Sequence, residues 1–470
     1  MKDIAINRRV GIALLLPWII TSLGSAEEIA TPIPSDTHLL LDSRVIETVQ
    51  NATLGLGSIQ KHARNPLMGE DKPWEVRFDN LYANVIYDPG EKLYKCWYSP
   101  FIVDRSAKGM TLDQRHTNPY RPPPGRQMGV CYAVSADGLR WEKPALELVE
   151  FEGSKANNLV LRGPHGVGVL LDDQEADPQR RYKMFTTQAM RFSSDGLHWS
   201  PPESSSGILS RDDTHNNMLR VREGDHYAGF VRLWSDGWGK GQRVVGRTES
   251  KDLLQWSQAT EVLRCDAQNQ AYAMPVFRYA NVYLGLLAVF RKAEDRVHTE
   301  LAWSPDTVAW HRIQPGVPFI ANSPTEGDYD WGCVYAAASP IVREKEIRLY
   351  CGGSNGRHTS WRDGFLCLAT LRPDGWAGYT PTDPAKPAIL TTRSVRCSGA
   401  ELWITCDVQP GGSVKVTALD EVGHAVDSVT LTKTGTRLSA GRLVKSVNHL
   451  VSLRLEISLA KVYSFGFTSK

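Results

Sequence analysis

Short runs of alternating apolar and polar residues fill most of this chain, each closed by Gly, Asp, Asn or Pro. A period of two predicts half-buried β-strands, and no segment past the first 26 residues sustains a helical period. The runs come in pairs. Residues 81–87 and 94–98 flank Asp88-Pro89-Gly90, while 218–221 and 227–231 flank Glu223-Gly224-Asp225, which predicts hairpins. Equivalent pairs stand at 167–171 and 182–186, at 273–279 and 283–289, and at 334–341 and 347–351. A third strand follows, as at 128–134 and 243–247, and leads into a recurring turn.

That turn reads Ser-x-Asp-Gly-x-x-Trp or a degraded copy of it. It appears at Ser135–Trp141, Ser193–Trp199, Ser250–Trp256 and Ser304–Trp310, and in shorter form at Pro373-Asp374-Gly375-Trp376. Successive aspartates lie 58, 57, 54 and 68 residues apart. A near-fixed period above forty residues in a strand-rich chain predicts a propeller with one four-stranded sheet per repeat. Within each turn, Ser and Asp are suited to bond backbone groups, Gly to take a positive φ, and Trp to fill the gap between sheets. Five copies predict five blades.

The pattern changes near residue 384, after a linker containing Pro381, Pro384 and Pro387. Short strands at 401–408, 413–419, 428–432, 451–457 and 462–467 then predict a small β-sandwich. Residues 1–26 read as an export signal: Lys2, Arg8 and Arg9 precede a short apolar stretch, and Gly24-Ser25-Ala26 supplies small residues. The organisation expected is therefore a signal peptide at 1–26, an extension at 27–70, a five-bladed β-propeller at 71–383 and the sandwich at 384–470. An exported location, periplasmic or extracellular, follows from the leader. No other segment is long and apolar enough to span a membrane. A net charge of +2 with scattered Lys and Arg gives no phosphate-tracking stripe, which argues against nucleic acid. Most of the eight cysteines sit in apolar strand-like runs and read as buried thiols; Cys397 and Cys406 are the best candidates for a disulfide.

In a propeller the first strand of each blade lines the central channel, so the polar residues before it converge at one mouth. Those clusters are Arg77-Phe78-Asp79-Asn80, Pro164-His165-Gly166, Asp212–Asn217, Asp266–Gln270 and Glu326–Trp331. Carboxylates that share a funnel repel, and one is expected to be held protonated. That is what glycoside hydrolysis requires, one acid and one ionised partner. The ranked acids are Asp79, Asp213 and Asp330, with Glu326 as an alternate. Arg77, Asn80, His165, His215 and His358 are candidate sugar-hydroxyl partners, and Tyr272, Trp234 and Trp331 candidate stacking platforms. Each of these also has an ordinary structural reading, because Asp and Asn before strands are common turn residues. No spacing enforces a metal at Asp213 and His215. No cofactor is called for, since the glycine-rich loop at 352–358 lacks the strand–loop–helix setting of a phosphate cradle.

Several stretches carry a family resemblance. They are Asp79-Asn80-Leu81-Tyr82 with Tyr94-Lys95-Cys96-Trp97-Tyr98, Tyr283–Leu287, Asp328-Tyr329-Asp330-Trp331-Gly332, and the ending Leu453–Ile457 with Ala460–Phe465. With the turn motif and the C-terminal strands, they resemble the invertase-like family 32 glycoside hydrolases and the related families 43 and 117. The nearer likeness is to a family 32-like branch of environmental bacteria. The resemblance implies an exported glycoside hydrolase acting on an oligo- or polysaccharide, with Asp79 at the place of the nucleophile or base. The family's Asn-Asp-Pro-Asn-Gly, Arg-Asp-Pro and Glu-Cys motifs are absent, and His165 stands where an Asp is expected. A non-catalytic carbohydrate-binding propeller is therefore the alternative. Two carboxylates about 5–10 Å apart across a pocket would favour cleavage; acids tied to arginine would favour a binder.

Overall fold

The computed structural model describes residues 36–468 apart from 108–109, 111–113, 116–119, 122–123, 211–212 and 222–224. The leader, Asp212 and part of the 99–127 insertion lie outside the described residues. The chain is all-β, with only three short 3₁₀ turns among its described elements. No helix of the described residues is long and apolar enough to cross a membrane.

The predicted hairpins form, each extended into an antiparallel meander. The first sheet orders Asn84–Asp88, Leu93–Tyr98, Gln127–Ser135 and Leu159–Arg162. The second runs Gly168–Leu171, Tyr182–Phe185, Ala189–Ser193 and Glu203–Ser204, and the third Asn217–Val221, His226–Trp234, Arg243–Ser250 and Thr260–Leu263. In the fourth group, Asn269–Ala273 and Val276–Tyr279 both pair with Val282–Arg291, followed by Arg296–Ser304 and His311–Arg312. In the fifth, Cys333–Ala336 and Ile341–Val342 pair with Ile347–Ser354, which pairs with Gly364–Leu371. One parallel pair, Val297 with Cys333, joins the fourth and fifth groups into a continuous sheet. The strand predicted at 273–279 is two strands because Met274-Pro275 interrupts the ladder, proline having no N–H to donate. The outer edge of the fifth group is covered by the N-terminal strands Gln60–Lys61 and Met68–Gly69.

The repeated turn has the predicted chemistry. Ser135 Oγ accepts the Gly138 N–H at 2.8 Å, and Asp137 Oδ1 accepts the Leu139 and Arg140 N–H groups. Ser193 and Asp195 repeat the arrangement. Where Gly is replaced by Leu253 or Thr307, that residue still adopts a positive φ, of 70° and 71°. Each turn also docks on another sheet. Gly196 leaves no room for a Cβ against the Trp97 ring, and Trp256 packs on Phe185 and Trp310 on Phe230. Asp374 and Trp376 meet Tyr279. Thus the turns of the second to fifth groups each meet the group before. The first turn meets the last group: Arg348 donates to the Asp137 carbonyl, Tyr350 to that of Gly138, and Trp141 packs on Tyr350.

The C-terminal strands belong to one ten-stranded sheet that curls over its own core. The four strands predicted at 401–408, 413–419, 451–457 and 462–467 are two, Glu401–Leu419 and Leu450–Thr468, which pair along their length with a register shift between Val408 and Ser413. Gly411-Gly412 reads as a turn in sequence but is absorbed as a bulge. The N-terminal strands Thr37–Leu39, Ile46–Gln50 and Ala52–Leu56 join the same sheet. All eight cysteines are buried and free. The expected Cys397–Cys406 bridge is not made: Cys397 Sγ lies against the Gly399 carbonyl and Cys406 Sγ against that of Lys433.

Candidate functional site

Asparagines tie the first strands together and so bring their preceding residues to one mouth. Asn84 donates to the Val167 carbonyl and accepts the Val169 N–H, both at 2.9 Å, while Asn217 accepts the Val276 N–H at 2.9 Å. On the segment before the first of these strands, Asp79, Leu81 and Tyr82 all have positive φ, of 55°, 61° and 46°. Backbone strain of this kind, in non-glycine residues, is held in place only by surrounding contacts. Arg77 donates to Asp79 Oδ1 at 2.7 Å, and Arg362 donates to Asp79 Oδ1 and Asn80 Oδ1, both at 2.8 Å. Asn80 then donates to the Tyr82 hydroxyl at 2.6 Å, which donates to the Asp213 carbonyl at 3.1 Å. The Asp213 carboxylate is paired with Arg232.

Aromatic rings floor the mouth. The guanidinium carbons of Arg232 and Arg243 lie 5.0 and 5.2 Å from the Tyr272 ring, and Arg243 also packs 4.6 Å from that of Trp234. His358 packs on Tyr272, with Nδ1 3.1 Å from the Tyr335 hydroxyl. His165 packs on Tyr82 and Phe101, each ring 5.3 Å away. His215 Nε2 lies 3.2 Å from Asn84 Oδ1. Beside the mouth opens a pocket of about 440 Å³ whose walls include His165, Asp213, Asn216, Met184, Arg162 and Arg191.

The electrostatics run opposite to the sequence expectation. Burial alone would raise the Asp79 carboxyl, but Arg362 and Arg77 hold it well below the usual carboxylate range. At Asp213 desolvation likewise opposes Arg232, and the arginine prevails. Neither acid is therefore held protonated by the other. Burial lowers His165, and it pushes His215 and His358 down to about 3, the Arg362 charge adding to the effect at His358. All three imidazoles are neutral at physiological pH. Among the described residues, no group of three or more His, Cys, Asp or Glu is placed to hold a metal ion.

The structure thus brings together Arg77, Asp79, Asn80, His165, Asp213, His215, Tyr272, His358 and Trp234. Three predicted residues stand outside this network. Asp330 is buried and paired with Lys61 at 2.5 Å, and it accepts the Ser323 N–H. Glu326 is exposed on a surface turn. Trp331 is buried beneath Arg296 and Arg357. Asp266 caps its own loop through the Gln268 and Asn269 N–H groups. Replacing Asp330 with Asn is expected to cost about 1.5–3 kcal/mol in urea unfolding, while ligand binding at the mouth is unchanged.

Sequence reasoning missed Arg362, Tyr82, Tyr335 and Glu70. Arg232 binds Asp213, and Arg243 donates to Gln270 at 2.6 Å. Glu70 Oε1 accepts the N–H groups of Phe78 at 2.5 Å and Gly364 at 3.1 Å. It therefore pins the Asp79 segment to the Arg362 loop. Burial, with the nearby Asp363 charge, pushes its carboxyl up to about 8 despite those two donors. A carboxyl raised in the fold contributes its full stability below its unfolded value near pH 4.5 and loses it as pH rises toward 8. Glu70→Gln keeps an acceptor oxygen and has no charge to bury. Its stability measured across pH 4–9 is expected to lack that decline and to exceed the parent's at pH 8.

No protein-family model matches the chain, and no curated protein matches it in sequence. Among solved structures it is similar to β-1,2-mannobiose phosphorylase from Listeria innocua, at 14% identity and a TM-score of 0.46 over 67% of this chain and 97% of that one. A glycosyl hydrolase from Bacteroides ovatus is similar at 13% identity and a TM-score of 0.45, over 70% and 97% of the two chains. A third similarity is to a family 130 glycoside hydrolase that targets β-1,2-mannosidic linkages, at 14% identity and a TM-score of 0.42, covering 68% and 95%.

Proposed function

We propose that this chain is an exported, carbohydrate-active five-bladed β-propeller that takes a glycan at the mouth built around Asp79 and Asp213. The ring rests on the turn contacts, in which each group docks on the one before and the first on the last. The glycan rests on one observation. Side chains from separate repeats converge in a single hydrogen-bonded, aromatic-floored mouth, open to a pocket within the range of about 300–1,000 Å³ usual for small-molecule sites. Trp234 offers an apolar face to a sugar ring, while His165 and His358 offer neutral polar atoms to its hydroxyls.

Two modes of action follow from different observations. The arginine partners of both acids favour binding without cleavage, because neither Asp79 nor Asp213 is left protonated to act as general acid. The strained backbone at Asp79, Leu81 and Tyr82 favours glycoside cleavage, with Asp79 as the ionised partner. The deciding experiment is a glycan array run beside a chromogenic glycoside screen, on the parent and on Asp79→Asn. Turnover lost in the variant establishes a glycoside-acting enzyme. Binding without turnover establishes the binder, and neither binding nor turnover removes the carbohydrate reading.

A further inference from the structure

Five guanidinium groups surround the mouth and its pocket, those of Arg77, Arg191, Arg232, Arg243 and Arg362, with the exposed Arg162 at the pocket rim. Among the described residues they meet two ionised carboxylates, and both are already committed. Asp79 is shared by Arg77 and Arg362, and Asp213 is held by Arg232. Arg243, packed among Trp234, Tyr272 and Phe290, donates to the neutral amide of Gln270, and its Nε is buried with no acceptor. Arg191, half-buried in the pocket wall, donates to the Ser200 carbonyl. The three imidazoles add no charge at neutral pH.

Positive charge withdrawn from water is costly unless an anion compensates it. The guanidinium fork matches the two oxygens of a carboxylate or a phosphate better than it matches a sugar hydroxyl. We infer that the mouth is an oxyanion site, and that the glycan it takes carries a carboxylate, as a uronate residue does. The nature of that ligand rests on the carbohydrate reading above; the need for an anion rests on the arginines. Inorganic phosphate offers the same chemistry without a sugar, so the two sources need separate arms in one experiment.

The experiment is calorimetric titration of the full chain with three sets of probes: uronate-containing oligosaccharides, their carboxyl-reduced counterparts, and inorganic phosphate. Each is repeated on Arg191→Gln, Arg243→Gln and the charge-keeping Arg191→Lys. Acidic oligosaccharides are expected to bind at least about tenfold more tightly than their reduced counterparts. That preference should shrink as salt is raised, fall in both Gln variants and survive partly in Arg191→Lys. Arg191 is half-exposed, so its variants test the site without burdening the core. Equal binding of acidic and reduced chains overturns the oxyanion site and leaves the glycan reading standing. Phosphate binding through the same arginines, with no response to any oligosaccharide, sustains the oxyanion site and removes the glycan reading. Silence from all three probes, or a preference untouched in both Gln variants, overturns the inference.

Discussion

Replacing Arg362 with methionine is expected to weaken ligand binding at the mouth severely and to lower stability by about 3–5 kcal/mol. The side chain is fully buried, and its hydrogen bonds cross between chain segments or cap a loop. Its Nη2 reaches Asp79 and Asn80, while its Nη1 reaches the carbonyls of His358 and Arg357. Methionine fills similar space but makes none of these bonds. It leaves Asp79 a single cation and leaves two loop carbonyls without their donor, and a buried charge stripped of a partner costs more than the pair was worth. The affinity loss expected for such a central residue is about 30-fold or more. The pH dependence should shift as well. Asp79 is depressed in the fold, so its contribution is complete above its unfolded value near about 4 and is lost as pH falls through the folded one. With one arginine gone the folded value moves up toward the unfolded one, so the stability lost to acid should be smaller than the parent's, which urea unfolding at pH 3–7 would reveal. A variant that binds the parent's ligand with unchanged affinity and keeps the parent's acid sensitivity would place the working mouth elsewhere.

What the sequence disclosed and what it hid divide along the distance over which each feature is decided. Hairpins and the Ser-x-Asp-Gly-x-x-Trp turns are settled within a few residues, by alternation and by side-chain bonds such as Asp195 Oδ1 to the Leu197 N–H. They were legible even where Leu253 replaced glycine. The convergence of 77–80, 165 and 213–216 was legible because it depends only on where first strands begin. Ion pairing was not. Arg362 lies 283 positions from Asp79, and nothing local to either marks the other as its partner. Asp330 opens its first strand just as Asp79 does, and the two are equivalent in sequence. They differ because an N-terminal strand pairs with the outer edge of the fifth group and carries Lys61 to Asp330. The predicted pKa upshift failed for the same reason: repulsion among acids was countable along the chain, whereas the arginines that reverse it arrive from other repeats.

Trp376→Ala is the packing counterpart, expected to cost about 3–5 kcal/mol. Trp376 closes the shortest copy of the turn motif, is wholly buried, and packs against Phe277, Tyr279 and Phe319 with ring centroids 5.4, 5.2 and 6.0 Å away. Its Nε1 has no hydrogen-bond partner, so its contribution is that of the ring alone. Two residues earlier, Asp374 bonds the Tyr279 hydroxyl at 2.7 Å and Arg437 of the C-terminal sheet at 3.2 Å. The ring therefore lies where the fourth group, the fifth turn and the C-terminal sheet meet, and three elements would have to move together to fill the space it leaves. Collapse of that kind is resisted by close packing, which puts the expected cost at the upper end for a large-to-small change. Trp376→Phe should recover more than half of the loss, since it keeps an aromatic face toward Phe277. Guanidinium unfolding of the two variants beside the parent measures both quantities. A loss under about 1 kcal/mol for the alanine variant would mean that the fifth turn contributes little to holding the fourth group against the C-terminal sheet.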